Sequence, residues 1–300
     1  MDYSKDFSVI IPHRNSLSYL TRLLDSIPLS DQIEVILVDN SPVPITRERV
    51  SSRRPFTLLH SDPSRGAGGA RNEGIDHAQG RWLLFADADD FYTEQAFHQF
   101  QSNVDSQADL IFFCVDAIFQ DTGQHSVRGD MFTELVQDFL SGKTDEYQLR
   151  LNYSSPWAKM VSHALVDRHR LRFDEVPACN DKFFSMLCGY YAKTIAAVDA
   201  VVYMVTVTQG SLTQRTEFTV VYSRLLVNLR FNQFLRQHHL SAYQSSVMNW
   251  LLLSAKARPW AIPKLLWDLF RYRQSPFIGS SNWLNTLRNY RRNNEQAKKA

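Results

Sequence analysis

Three carboxylates stand almost together in the run Phe85-Ala86-Asp87-Ala88-Asp89-Asp90, directly after the apolar stretch 82–86 (WLLFA). Like charges at this spacing repel one another, and an ordinary core offers nothing that rewards them. A divalent cation does. Carboxylate oxygens suit Mg²⁺ or Mn²⁺, which keep several waters and take one or two protein carboxylates plus substrate phosphates. The plainer alternative is a helix start, with Asp89 or Asp90 capping the segment 91–100. The place of the cluster at the end of a strand favours the metal.

Two further segments have chemical potential. Arg65-Gly66-Ala67-Gly68-Gly69-Ala70-Arg71-Asn72-Glu73-Gly74 is glycine-rich, and such loops let backbone approach a phosphate. It lacks the third glycine of the dinucleotide fingerprint and follows the third strand rather than the first. A surface turn is an equal alternative, although Arg65 and Arg71 are good phosphate partners. Asp39, in Ile36-Leu37-Val38-Asp39-Asn40-Ser41, ends an apolar run where a nucleoside could be hydrogen-bonded. Read alone, that segment is an Asx-type turn.

These residues need elements to position them. Strands are predicted over 7–12 (FSVIIP), 33–38 (IEVILV), 56–60 (FTLLH), 82–86, 110–115 and 198–207. Helices are predicted near 17–27, over 70–78, 94–104 and 131–140, and from Asp181 onward. The alternation predicts an α/β fold with a mostly parallel sheet flanked by helices. In such sheets ligands bind beyond the carboxyl ends of the strands, which points to 12–15, 39–41 and 87–90. From about residue 218 the chain reads as helical, basic and aromatic.

Three hundred residues allow one large domain or a domain with an appendage, and the composition excludes general disorder. The net charge of +2 hides a division: 1–214 carries −9 and 215–300 carries +11. Three cysteines, Cys114, Cys179 and Cys188, have no metal or redox spacing, as in a reduced cytosolic chain. No run has the length of a spanning helix or the pattern of a signal peptide. The histidines make no zinc motif, and no serine sits in a nucleophile elbow.

FSVIIPHRN, IEVILVDNS, RGAGGARNEGIDHAQGRWLLFADADD and RFDEVPACNDKFF together resemble the successive motifs of family 2 glycosyltransferases of the GT-A fold, of the bacterial surface-polysaccharide type. The resemblance covers about 7–215. It implies a catalytic domain over 1–215, followed by a helical, basic and aromatic region over 216–300. It also implies a nucleotide-sugar donor, usually UDP-linked, transfer with inversion to a glycan or lipid-linked acceptor, and a Mn²⁺ or Mg²⁺ cofactor. Carried over by residue, Pro12 and Asp39 would hold the nucleobase end, with Arg14 in the same loop. Asp87 would lie by the ribose and metal, and Asp89 would ligate the metal that bridges the diphosphate. The family's Glu-Asp pair is Asn180-Asp181 here: the glutamate is replaced, and Asp181 is kept as the base. Trp157-Ala158-Lys159 resembles a tryptophan–lysine segment of the family, with Lys159 reaching either the diphosphate or a surface acid. Gly210-Ser211-Leu212-Thr213 resembles the turn near the acceptor site, without the arginine that often precedes it.

On this reading the metal takes up charge on the leaving diphosphate. Asp181 takes the proton of the attacking hydroxyl. A sugar-phosphate nucleotidyltransferase would share the carboxylates and metal, but should carry a glycine-rich phosphate loop after the first strand, where Pro12-His13-Arg14-Asn15 stands. A non-catalytic glycan- or membrane-binding module is the other alternative.

In 258–292, Trp260, Trp267, Phe270, Tyr272, Phe277, Trp283 and Tyr290 are interleaved with Lys and Arg, and Leu265, Leu266, Leu269 and Phe270 are expected on one helical face. Two readings compete: an amphipathic surface for the inner face of the plasma membrane, or aromatics packed internally with a solvated basic face. No nucleic-acid partner is expected, although stacking aromatics in a basic groove are known to bind one. The expected location is cytoplasmic or peripheral to the membrane.

Overall fold

β1 (Lys5–His13) and β2 (Ile33–Asp39) are both buried over their last five or more residues. Strands covered on both faces need continuous apolar sequence, which VIIP and VILV supply. They pair in parallel, with His13 opposite Asp39. β3 (Thr57–His60) continues the sheet on one side of β2 and places His60 opposite Asp39. β4 (Gly80–Phe85) adds in parallel on the other side of β1. The carboxyl ends of these four strands are therefore brought to one edge, the edge that carries His60, Asp39, His13 and the acidic cluster after Phe85.

The full order is β3-β2-β1-β4-β7-β6-β8-β5. Four pairings are parallel, the fourth being between β6 (Leu110–Phe119) and β8 (Ile195–Val207). β7 (Lys159–Ser162) enters antiparallel between β4 and β6, and the two-residue β5 (Phe91–Tyr92) is antiparallel to β8. The α/β fold expected from the alternation is present, and its mostly parallel sheet also takes in β7 and β5 as antiparallel strands. β7 was not anticipated, because four residues with a lysine at the start carry no strand periodicity.

Helices α1 (Leu20–Asp25), α2 (Gly66–His77), α3 (Ala96–Ser102), α4 (Asp130–Leu140), α5 (Glu146–Asn152), α6 (His163–His169) and α7 (Lys182–Tyr191) accompany this sheet. α2 begins earlier than predicted and differs in kind: Gly66 to Gly69 form its first turn instead of an open loop. The reason is close packing. A Cβ on Gly68 would lie 2.0 Å from the Asp174 carbonyl oxygen, and one on Gly74 would lie 2.4 Å from Ile10 Cγ2. These glycines bring helix backbone against neighbouring chain.

The computed structural model describes residues 3–15, 17–52, 54–208 and 215–278, in two compact units. One comprises residues up to 175 together with 180–207, and holds the sheet and its helices. The other comprises 176–179 and, among the described residues, 208 and 215–278. Its helices are α8 (Phe218–Gln237), α9 (Met248–Ala257) and α10 (Ile262–Arg271). Leu225, Leu229, Val247, Leu265 and Leu269 form its small core. Asn232 exchanges two hydrogen bonds with the Ser245 backbone, at 2.7 and 2.9 Å, and so fixes the entry to α9. No described helix is long and apolar enough to cross a membrane.

Leu265 and Leu269 face that core, whereas Leu266 and Phe270 are 59 % and 73 % exposed. The single apolar face expected for these four residues is therefore corrected to two. Residues 210–213 and 279–292, with Trp283 and Tyr290, lie outside the described residues.

Candidate active site

The acidic cluster sits in a turn after β4, closed by the Asp90 amide on the Asp87 carbonyl at 3.0 Å. Its three carboxylates meet different surroundings. Asp90 is buried, and its Oδ1 accepts the Thr206 amide at 2.7 Å. Burial, then the charges of Asp89 and Asp87, push it well above the usual carboxylate range. It belongs to the scaffold. Asp87 is half-exposed, and its backbone amide donates to the Tyr203 hydroxyl at 2.8 Å. Asp89 is exposed at its surface side yet hemmed in by protein, so lost hydration and the Asp87 charge raise it. Its carbonyl accepts from Arg22 at 2.8 Å and Thr206 at 2.7 Å, which fixes the backbone and leaves the carboxylate available.

Among the described residues no three His, Cys, Asp or Glu side chains converge as a ready-made metal cage. Asp89, with Asp87 beside it, fits the other kind of site, in which a hard cation takes one or two carboxylates and completes its shell with water and substrate phosphate.

Arg71, buried in α2, links this turn to a distant segment. Its Nη2 donates to Asp87 Oδ1 at 2.5 Å and its Nη1 donates to Asn180 Oδ1 at 2.7 Å. The next residue is Asp181, at the N-terminus of α7. Helix capping was the plain alternative for Asp181. It occupies the capping position, but its side chain makes no capping hydrogen bond. Burial raises its carboxyl, Arg71 lowers it, Asp87 raises it and Lys159 lowers it, with a net upward shift. The charges of Arg71, Asp87 and Lys159 act on Asp181, which shares one electrostatic neighbourhood with the acidic cluster.

Phe173 and Glu175 are held to α2 by several bonds. Asn72 exchanges hydrogen bonds with the Phe173 backbone at 3.0 and 2.8 Å, and Arg65 pairs with Glu175 at 2.7 Å. Phe173 stacks on Phe184 at 3.9 Å, and both meet Phe85 edge-on. Arg65 was anticipated as a phosphate partner; here Glu175 takes its guanidinium.

Asp39 is fully buried. Its Oδ1 lies 2.9 Å from His13 Nδ1 and accepts from Ser41 Oγ at 2.6 Å, while Oδ2 accepts the Ile45 amide at 2.9 Å. Burial raises this carboxyl, but the bonds from Ser41, His13 and Ile45 outweigh it and hold it low. In this arrangement it braces the loop after β2. Pro12 is buried beside it in β1, and exposed Arg14 reaches the Pro63 carbonyl at 3.4 Å.

Lys159 departs most from expectation. It is 2 % exposed, donates to the Tyr153 carbonyl at 2.6 Å, and lies over the Tyr153 and Phe112 rings. The surface acid and the direct diphosphate contact are corrected to a buried cation. Burial pushes it down to about 7, against the opposing pull of Cys188 and Asp181. The antiparallel entry of β7 causes this, since it sets the first residue of β7 beside the carboxyl end of β4.

Sequence reasoning missed Arg22, Tyr203, Thr206 and the Asn180 side chain as parts of the site. Tyr203 and Thr206 lie more than a hundred residues from the acidic cluster and carry no local motif, so only the pairing of β8 with β6 and β5 reveals them.

The model of glycosyl transferase family 2 matches residues 8–167, over half of the chain. The chain belongs to glycosyl transferase family 2. Within the family it is 25 % identical over 261 residues to a putative glycosyltransferase, EpsH, of Bacillus subtilis, covering 82 % of this chain and 74 % of that protein. It is 26 % identical over 215 residues to the poly(ribitol-phosphate) beta-N-acetylglucosaminyltransferase TarS of Staphylococcus aureus, covering 68 % of this chain but only 36 % of that protein. The fold matches the crystal structure of S. aureus TarS 1–349 in complex with UDP-GlcNAc, with a TM-score of 0.62 and 23 % identity over 89 % of this chain and 80 % of that one. The chain is thus a glycosyltransferase with a GT-A-like sheet.

Proposed function

We propose that this family 2 enzyme transfers a hexosyl or N-acetylhexosaminyl group from a UDP-linked donor to a glycan or lipid-linked acceptor of a surface polysaccharide, with inversion. The observation that carries the reading is the bridge Asp87–Arg71–Asn180, which ties the acidic turn after β4 to the start of α7. The donor's diphosphate would meet Asp89, with Asp87 and Arg71 behind it, and its nucleoside would lie along the β1 and β2 ends at Pro12, Arg14 and Asp39. A Mn²⁺ or Mg²⁺ ion held by Asp89 would supply Lewis-acid stabilisation of the leaving diphosphate.

Asp181 takes the proton of the acceptor hydroxyl as that oxygen bonds to the anomeric carbon. The bond from that carbon to the diphosphate breaks, and the electron pair leaves with the nucleotide. A carboxylate at a helix N-terminus, unspent on capping, suits this role, and its raised pKa makes it a better base than an ordinary aspartate. Arg71 keeps the two parts in register, which is positioning of the kind that lowers the entropy of the encounter. Buried Lys159 acts on Asp181 through its charge rather than by touching donor.

A panel of nucleotide sugars, scored for UDP release by wild type and by Asp181→Asn, tests the reading. Donor-specific release that Asp181→Asn abolishes is the expected result. Equal release by both proteins removes Asp181 as base.

A further inference from the structure

α10 turns a narrow stripe inward. Leu265 and Leu269 join the small core, and buried Asp268 accepts from the Tyr222 hydroxyl at 2.6 Å. Its outward side is the more apolar one. Ile262, Leu266 and Phe270 stand four residues apart and so lie one above another. Trp267 lies beside them, its ring 5.7 Å from that of Phe270, with Trp260 before the helix and Phe277 after it. Trp260 is 79 % exposed, Trp267 61 %, Phe270 73 % and Phe277 70 %. A helix on a protein surface ordinarily turns such residues inward, and apolar side chains gathered this way mark an interaction surface.

The charge around this face is one-sided. From 218 to 278 the chain has eight Lys and Arg residues and a single acid, Asp268, which is buried. Lys256, Arg258, Lys264, Arg271 and Arg273 are exposed on and around α10. Pairing with a second copy would bring these cations together with no acid to offset them. Aromatic side chains at headgroup depth with Lys and Arg beside them are what an anionic bilayer surface accommodates.

We infer that the exposed face of α10, with Trp260, Leu266, Trp267 and Phe270 at its centre, docks in the plane of an anionic lipid surface. The sequence alone placed Leu265 and Leu269 on that face; the structure takes them away and supplies Trp260, Ile262 and Trp267. The docking face is independent of the catalytic assignment, since none of its residues belongs to the site.

Flotation of the full chain with phosphatidylcholine vesicles, and with the same vesicles containing phosphatidylglycerol, tests this. Wild type should float with the anionic vesicles alone and detach as salt is raised. Trp267→Ser with Phe270→Ser should lower the bound fraction at least about tenfold, with unchanged melting temperature and unchanged donor hydrolysis in free solution. Lys256→Gln with Arg271→Gln should weaken binding and flatten its salt dependence. Wild type that stays unbound, or an aromatic variant that floats as well as wild type, overturns the inference. So does a lipid-free dimer that the aromatic variant dissociates, or retention on single-stranded RNA in place of vesicles.

Discussion

Arg71 holds Asp87 and Asn180 at once, at 2.5 Å through one terminal nitrogen and 2.7 Å through the other. The two residues it joins lie 93 positions apart in sequence, one after a strand and the other before a helix. Lysine is a single point charge and cannot reproduce this fork. Arg71→Lys is therefore expected to lower kcat/KM by about 10²-fold or more while the chain stays folded. Arg71→Met should also destabilise by about 1–3 kcal/mol, because Asp87 and the buried amide of Asn180 lose a partner. Steady-state kinetics and urea melts of the two variants check this; wild-type kcat/KM in both would refute it.

Asp181→Asn should lower kcat by about 10²–10⁴-fold with little change in UDP affinity. A base must be deprotonated, and the net upward shift of Asp181 means that activity is half lost at a higher pH than an ordinary aspartate would give. The acid limb of kcat/KM should accordingly lie above the usual carboxylate value. A limb at or below that value would contradict the assignment.

Lys159→Met removes a cation that lowers Asp181, so the acid limb should move further up. Stability should respond too. The folded value of about 7 lies below the ordinary 10.5, so between these values the unfolded chain holds more protons than the folded one. Wild-type stability should therefore rise with pH across that window, and Lys159→Met should flatten the rise. Urea melts at several pH values within the window give the answer.

Asp89→Ala should abolish the dependence of UDP binding on Mn²⁺. Asp90→Asn should preserve it, since the Thr206 amide still finds an acceptor at that position. Calorimetry of UDP with Mn²⁺ and with chelator distinguishes the two; equal affinity of wild type under both conditions would remove the metal from Asp89.

Gly68→Ala should destabilise by about 1–3 kcal/mol, because its Cβ has no room beside the Asp174 carbonyl. Moving that carbonyl shifts Asn180, so kcat should fall even where the protein remains folded. Thermal melts together with kinetics below the melting range would show whether both losses occur.

The sequence by itself determined strands β1 to β4 and, to within a residue, their carboxyl ends. Apolar runs such as Ile36-Leu37-Val38 have one good solution, burial within a sheet, and Asp39 and Asp87 then fall at carboxyl ends because they directly follow those runs. Local order also fixed the family motifs and the nearness of Asp181 to a helix start. Tertiary structure alone decided which distant groups meet. The glycines read as a phosphate loop became a close-packed first turn of α2, since only the approach of Asp174 shows why side chains are excluded there. Lys159 became a buried cation because an antiparallel strand, too short for periodicity to announce, carried it under Tyr153. On α10, spacing shows which residues share a face, but which face is inward depends on where Leu225, Leu229 and Val247 stand. Periodicity is a property of one element, whereas burial and charge pairing are properties of what surrounds it, and the surroundings come from residues far along the chain.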